Sequence, residues 1–321
     1  AGLVNAVLRR ITEQGLDARL FPQLERDPAG YLERRGSHPR WLVERWLQRW
    51  SVADVARLVA LDNEVPPLAL VPIHDAPEVA ARRWNEAGFE ARVVAAGSGV
   101  VEVHGGAPAD VLAVVPSFVQ DAAAAWVCAY ADGPEGGRMA DLCAAPGGKA
   151  MNLARRARWV VAADPSFPRL RQVIENRDRT GLALHVLQAD ATAPALRDLD
   201  LVLVDAPCTG TGTLRRHPDA RWRLTPDEPL KMAAVQLRLL RGAARAVAGG
   251  GLLVYSTCTL EPEENEGVVE AFLEQHPDFV LEPPDPHRVQ APIDERGYLY
   301  VLPQHEATDG AFAARLRRVG G

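Results

Sequence analysis

From residue 116 onward, short apolar runs alternate with stretches of helical periodicity, and few folds tolerate that rhythm. The runs fall at 139–143, 159–163, 184–188, 201–205 and 252–256. Helical patterns occupy 148–156, 166–179, 229–247 and 263–275. Strands separated by helices predict a parallel sheet covered on both faces, a doubly wound, mostly parallel α/β domain of Rossmann-like type. Two runs end in cysteine motifs. Leu201-Val202-Leu203-Val204 leads into Asp205-Ala206-Pro207-Cys208, and Leu252-Leu253-Val254 leads into Tyr255-Ser256-Thr257-Cys258-Thr259. Open α/β sheets place their chemistry at the carboxyl ends of strands. Two thiols there suggest a paired device, with one sulfur as nucleophile and the other helping to release product.

Ahead of this region, residues 1–62 read as helical. Leu3, Val7 and Ile11 recur at helical spacing, as do Trp41, Leu42, Arg45, Trp46, Arg49 and Trp50. The tryptophans are expected to pack this segment onto the next domain with the interleaved arginines on the wet face; base stacking and phosphate contact are the alternative. Residues 63–115 read as a small α/β unit resembling an RNA-binding module. It comprises a strand at 68–71, a helix at 78–87, and a hairpin of 91–94 and 100–103 around Gly97-Ser98-Gly99. Pro66-Pro67 and Pro116 bound the unit, leaving 116–321 as the catalytic domain. Two tail segments, 298–302 and 312–316, are expected to close the sheet as an antiparallel pair.

Net charge is -6, so no global positive field draws the chain to nucleic acid, and any such contact has to be local. Arg215, Arg216, His217, Arg221, Trp222, Arg223, Arg315, Arg317 and Arg318 are the candidates. Only Lys149 and Lys231 among the 36 basic residues are lysine. Cys128, Cys143, Cys208 and Cys258 form no Cys-x-x-Cys pair, which argues against zinc and against a disulfide-stapled secreted domain. No signal-peptide pattern and no apolar run of about 20 residues is present. A cytoplasmic protein with no membrane partner, most simply a monomer, is expected.

Cys143, Ala144, Ala145, Pro146, Gly147, Gly148 and Lys149 form a turn between the first strand and its helix. Glycine lets the backbone approach a ligand closely, and the turn is neither a P-loop nor a three-glycine dinucleotide fingerprint. Asp164 ends the second strand 23 residues after Asp141, the separation that suits a ribose diol. Asp190 ends the third and is placed to meet an adenine amine. Three acids at successive strand ends define a nucleoside-sized crevice. Taken singly, each aspartate would be read as a turn former or helix cap.

Asp141-Leu-Cys-Ala-Ala-Pro-Gly-Gly-Lys149, Asp205-Ala-Pro-Cys-Thr-Gly-Thr-Gly212, Arg215-Arg-His-Pro-Asp219, Tyr255-Ser-Thr-Cys-Thr259 and Glu263-Glu-Asn-Glu266 together resemble the Nop/Sun family of RNA cytosine-5 methyltransferases. The likeness is strongest to its bacterial RsmB-type branch, which acts on 16S ribosomal RNA. It extends to Val4–Arg10 and Ser37–Leu42, which resemble that branch's linker. The resemblance implies S-adenosyl-L-methionine as cofactor, held by residues 143–149 with Asp164, Asp190 and Asp205. It implies Cys258 as the nucleophile on cytosine C6, Cys208 as the group assisting release, and Asp205 on the N3/N4 edge of the base. Lys149 or Arg215-Arg216 would supply positive potential to the thiolate. Cys128 and Cys143 are assigned to packing, and the acids Glu263, Glu264 and Glu266 to the first turn of a helix, with no chemical role.

Relatives of that branch carry an additional N-terminal helical domain similar to the antitermination factor NusB. This chain begins about where it would end, so a shortened chain or a shorter paralogue is expected. Leu68–Ile73 and Ala311 depart from the family pattern, at an RNA-contacting segment and at an aromatic position respectively. Transfer RNA or another RNA as substrate, a DNA cytosine methyltransferase using Cys208, and a non-catalytic RNA-binding assembly factor are the competing readings.

Overall fold

The computed structural model describes residues 2–15 and 20–320. The chain opens with α1 (Gly2–Gln14), α2 (Pro28–Arg34), α3 (Arg40–Leu47) and α4 (Val52–Leu61). Asp27 caps α2 by accepting from the Gly30 N–H, and Ser51 caps α4 by accepting from the Asp54 N–H. Leu3, Val7 and Ile11 on α1 are exposed. Leu42, Val43 and Trp46 of α3 are buried among Leu32, Val55 and Leu58, and they meet Leu214 and Leu260 from the C-terminal half. Trp41 and Trp50 pack at the margin of that cluster, with the Arg49 guanidinium 4.4 Å above the Trp50 ring. The expected packing role of the tryptophans therefore holds, but Arg45 and Arg49 do not face water: they turn onto Glu261, Glu263, the Leu260 carbonyl and Tyr300, acceptors that the C-terminal half supplies.

A four-stranded antiparallel sheet comes next, built from β1 (Leu68–Pro72), β2 (Glu90–Val94), β3 (Val100–His104) and β4 (Ser117–Val119) in the order β2-β3-β1-β4. Helices α5 (Pro77–Glu86) and α6 (Pro108–Val114) cover one face, around Leu70, Trp84, Val101 and Val103. On the other face Ala69, Val71, Val100 and Phe118 join the core of the larger sheet. Sequence reading finds the first three strands but misses α6 and β4, which are short and lack clear periodicity.

The larger part runs α7 (Ala122–Ala131), β5 (Arg138–Asp141), α8 (Gly148–Ala154), β6 (Trp159–Asp164), α9 (Phe167–Thr180), β7 (His185–Gln188), β8 (Leu199–Asp205), α10 (Glu228–Ala244), β9 (Val247–Thr257), α11 (Glu266–Gln275), β10 (Phe279–Leu281), β11 (Leu299–Val301), α12 (Pro303–Glu306) and β12 (Ala311–Arg318). The strand order is β7-β6-β5-β8-β9-β12, parallel from β7 to β9. The antiparallel β12 comes after β9, with β10 and β11 both on its outer edge. The parallel α/β architecture and the closing antiparallel pair expected from the sequence are thus present.

Alternation along each strand feeds two cores. Met139, Ala162, Leu203 and Val254 face α7, α8 and α9, while Ala140, Val161, Val202 and Leu253 face α10 and α11. β5 and β8 are neighbours, yet the chain leaves them in opposite directions across the sheet. The crevice between their carboxyl ends is the topological switch point, where such sheets bind ligands.

Candidate active site

The two cysteine motifs leave β8 and β9 side by side. The Cys208 and Cys258 sulfurs are 3.2 Å apart, and the Cys258 N–H donates to the Cys208 sulfur at 3.4 Å. Both thiols are half-buried. A donated S–H from Cys208 pulls the Cys258 pKa below the ordinary thiol value. Burial and Asp205 oppose that shift, and Lys149 assists it. The same contact pushes Cys208 well above its ordinary value, with burial, the Cys258 charge and Glu264 adding to the rise and the Cys258 N–H opposing it. Cys258 therefore ionises first, and Cys208 keeps its proton. The positive potential at Cys258 comes from Lys149; Arg216 is committed to Asp309 at 2.6 Å and Asp121 at 2.7 Å.

Lys149 Nζ donates to Asp205 Oδ2 at 2.7 Å, and Ser256 Oγ donates to Oδ1 at 2.8 Å. Burial works against the lysine charge, but the Asp205 charge and hydrogen bond outweigh it and raise the Lys149 pKa. Asp205 thus stands between the thiol pair and the turn after β5.

That turn leaves the sheet at Asp141, earlier than the sequence suggests. The Leu142 N–H crosses to the Leu203 carbonyl at 2.9 Å, the Ala144 N–H reaches the Ala163 carbonyl at 2.9 Å, and Cys143 N–H turns back to Asp141 Oδ1 at 3.2 Å. The Ala145–Pro146 peptide is cis, and Gly147, at φ 108°, takes a conformation that disfavours any side chain. Asp141 and Asp164 are almost fully buried, and each has one carboxylate oxygen, Oδ2, with no hydrogen-bond donor. The nearest charge to the second is the Arg169 guanidinium at 3.2 Å, outside hydrogen-bonding geometry. Burial, then the nearby Asp205, raise the Asp141 pKa to about 7. Two orphaned acceptors facing a glycine turn fit a ligand that brings hydroxyl and amine donors.

Asp190 lies two residues beyond β7, is exposed, and accepts from the Thr192 N–H at 2.8 Å. That is the turn geometry that any single aspartate would be expected to make. Its segment nevertheless lines a narrow recess with Leu142, Ala163, Leu187 and Ala189. A cavity of about 640 Å³ lies elsewhere, between the β2–β3 turn and α7–α8, and none of Asp141, Asp164, Asp205, Cys208 or Cys258 lines it. Burial pushes the Cys128 thiol up to about 12, and it raises Cys143 as well. Both are poor nucleophiles, in keeping with packing roles.

Several expected RNA contacts are structural instead. Arg221 is 2% exposed and donates to the Ser37 and Asp62 carbonyls and to Asn63 Oδ1. Arg315 is buried on the Ala131 carbonyl and Glu282, and Arg317 also binds Glu282. Arg318 pairs with Asp278 at 3.2 Å. Of the basic candidates, His217 and Arg223 remain exposed, together with Trp222. The acids before α11 are also corrected. The helix starts at Glu266, and Glu261 and Glu264, both fully buried, turn into the protein. Arg45 and Trp46 of α3 donate to Glu261, and Arg45 also to Glu263. The signal available in the sequence was their number: acids at 261, 263, 264 and 266 exceed what one helix N-terminus accommodates.

A family model described as 16S rRNA methyltransferase RsmB/F matches residues 131–317. The chain belongs to this family. Its members are S-adenosylmethionine-dependent RNA methyltransferases, so the cofactor expected from the sequence stands. The chain is 36% identical to ribosomal RNA small subunit methyltransferase B of Thermus thermophilus over 324 residues, covering 99% of this chain and 71% of that protein. The protein of the same name from Vibrio cholerae is 34% identical, covering 99% and 72%. The solved structure of PH0851 superposes with a TM-score of 0.79 at 30% identity, covering 90% of this chain and 68% of that one. NSun6 from Pyrococcus horikoshii, solved with SFG, shares the fold at a TM-score of 0.71 and 19% identity, covering 88% and 99%. Among the described residues no helix is long and apolar enough to cross a membrane, and no cluster of side chains is arranged to hold a metal.

Proposed function

We propose that this chain methylates C5 of a cytosine in RNA, with 16S ribosomal RNA as the favoured substrate, through a covalent bond between Cys258 and cytosine C6. The observation that carries the reading is the thiol pair: two sulfurs 3.2 Å apart at adjacent strand ends, one inclined to ionise and the other to stay protonated. S-adenosylmethionine would be held by the 143–149 turn with Asp141, Asp164 and Asp190, and would supply an electrophilic methyl group.

Cytosine C5 is a weak nucleophile. Attack of the Cys258 thiolate on C6 forms the S–C6 bond and moves the C5–C6 π electrons toward C5, making it nucleophilic enough to bond a methyl group whose bond to the donor's sulfonium sulfur breaks, leaving a neutral thioether. Asp205, held by Lys149 and Ser256, is positioned to accept from the N4 amine and from an N3 protonated by solvent, stabilising the ring's positive charge that makes C6 electrophilic; one well-aimed polar group of this kind is worth roughly 3 kcal/mol. Once Cys258 is bonded to C6 its charge is consumed, and the first cause of the high Cys208 pKa disappears. Cys208 can then lose its proton to solvent and take the C5 proton as a base. The electrons of the C5–H bond re-form C5=C6, the S–C6 bond breaks, and Cys258 departs as the thiolate, again hydrogen-bonded by the Cys208 thiol.

Replacing each cysteine separately tests the assignment. Cys258→Ala is expected to abolish transfer, and Cys208→Ala to accumulate a protein–RNA adduct that survives denaturing electrophoresis. The reverse pattern would make Cys208 the attacking sulfur and overturn the scheme. Bisulfite sequencing of ribosomal and transfer RNA treated with the enzyme identifies the substrate.

A further inference from the structure

Glu264 takes no part in the reaction scheme above, yet it is fully buried between the two cysteine loops. Its Oε2 accepts from the Thr209 N–H at 2.9 Å and from Gln236 Nε2 at 2.9 Å. Its Oε1 accepts from the Thr259 hydroxyl at 3.1 Å and from the Thr209 hydroxyl. Thr209 directly follows Cys208, and Thr259 directly follows Cys258. Gln236, on α10, also donates to the carbonyl of Pro207, just before Cys208, at 2.9 Å. Tyr255 on β9 donates to the Glu264 carbonyl at 2.6 Å. A backbone amide and a carboxamide NH2 can only donate, so the environment of Oε2 is built for an acceptor. One carboxylate thus grips the residue after each sulfur and, through Gln236, the residue before one of them.

We infer that Glu264 is a positioning residue that fixes the two sulfurs against each other and assigns the proton of the pair to Cys208. The charges around the pair are graded in the required sense. Lys149, from α8, acts on Cys258, whereas the Glu264 charge acts on Cys208; burial raises the Glu264 pKa, and the hydrogen bonds from Thr209, Gln236 and Thr259 hold it down, while Asp205 on β8, the Tyr255 hydroxyl on β9 and Glu261 are the other titratable neighbours. Its meaning for turnover rests on the covalent mechanism proposed above, but the proton assignment can be read without RNA.

The test is alkylation of the whole chain by iodoacetamide across pH 6 to 10, with labelling at each cysteine quantified by mass spectrometry. Wild-type protein is expected to label at Cys258 first. Glu264→Gln removes the charge and presents an NH2 to donors, and is expected to narrow the Cys258-to-Cys208 labelling ratio at pH 7 about tenfold, the equivalent of one pKa unit. Thr209→Val keeps the charge and the backbone bond but removes one hydroxyl, and is expected to narrow the ratio about two- to threefold. A folded Glu264→Gln protein with the wild-type ratio overturns the inference. If that variant does not fold, an unchanged ratio in Thr209→Val does so instead. Failure of the Cys208→Ala protein to trap RNA, alongside the expected labelling shift, would sink the covalent scheme and leave the role of Glu264 standing.

Discussion

Gly212 lies where the two cysteine loops cross. Its N–H donates to the Cys258 carbonyl at 3.0 Å, and its own carbonyl accepts from the Gly310 N–H at 2.7 Å. A Cβ at this position would stand 2.8 Å from the Cys258 carbonyl oxygen and 2.8 Å from Gly310 Cα. Both neighbours are backbone, so no side chain can swing aside. Its φ is outside the left-handed range, which makes the constraint purely one of space. Reaching 3.4 Å, the start of ordinary contact, needs a separation of about 0.6 Å (3.4 − 2.8). A shift of that size in the worst direction stretches the 3.0 Å bond to about 3.6 Å, beyond hydrogen-bonding range. Overpacking costs about 1–3 kcal/mol and a lost hydrogen bond about 1 more, so Gly212→Ala is expected to destabilise the chain by roughly 2–4 kcal/mol. Because the displaced atom belongs to Cys258, alkylation of that thiol should change with stability. Gly181→Ala, just past the end of α9, is the control. Its φ of 69° is strained for alanine, but nothing lies within 4 Å of the new Cβ, so it should cost about 1–2 kcal/mol while leaving thiol reactivity near wild type. Urea unfolding and Cys258 labelling read both quantities. A Gly212→Ala protein that unfolds and labels like wild type would mean that the crossing has room for a side chain.

Asp141 sits in the crevice with its pKa raised from 3.8 to about 7, so the folded state holds its proton more tightly than the unfolded state. Its contribution to stability is complete below about pH 4 and is lost as pH rises through about 7. Asp141→Asn removes that loss, so in cofactor-free protein the variant should match wild type near pH 4 and exceed it by roughly 2–4 kcal/mol at pH 8, the scale set by about 1.4 kcal/mol per unit; parallel stability–pH curves from urea titrations would contradict this. Arg221→Met leaves the carbonyls of Ser37 and Asp62 without their buried donor and should cost roughly 2–4 kcal/mol, with no change in the salt dependence of RNA binding. Weakened RNA binding at unchanged stability would restore Arg221 to the interface.

What could be read from the sequence came from local repetition. The strands 201–205 and 252–256 announce themselves because both faces of a central parallel strand are buried, leaving an unbroken apolar run. The motifs at their ends then locate the thiols, and the fold brings those sulfurs together from 50 residues apart. α7 escaped notice because it is apolar on all sides, with no stripe to mark a face. The arginines were misjudged for a related reason. Charge in a sequence suggests solvent, but Arg221 and Arg315 are buried by backbone carbonyls that only the tertiary structure supplies. Glu264 shows the same limit, since its donors come from positions 209, 236 and 259, and no spacing rule connects those three.

The docking of α3 on Glu261 bears on how this enzyme can be divided. Glu261 comes three residues after Cys258 and is sealed from water, and two of its donors, Arg45 and Trp46, come from more than 200 positions earlier. A fragment beginning at the methyltransferase fold would lose both donors, keep only the Thr211 hydroxyl on that carboxylate, and uncover Leu214 and Leu260 to water. The opening helices therefore share a buried ionic seam with the strand-end loop that carries Cys258, and the two parts are expected to fold as one unit.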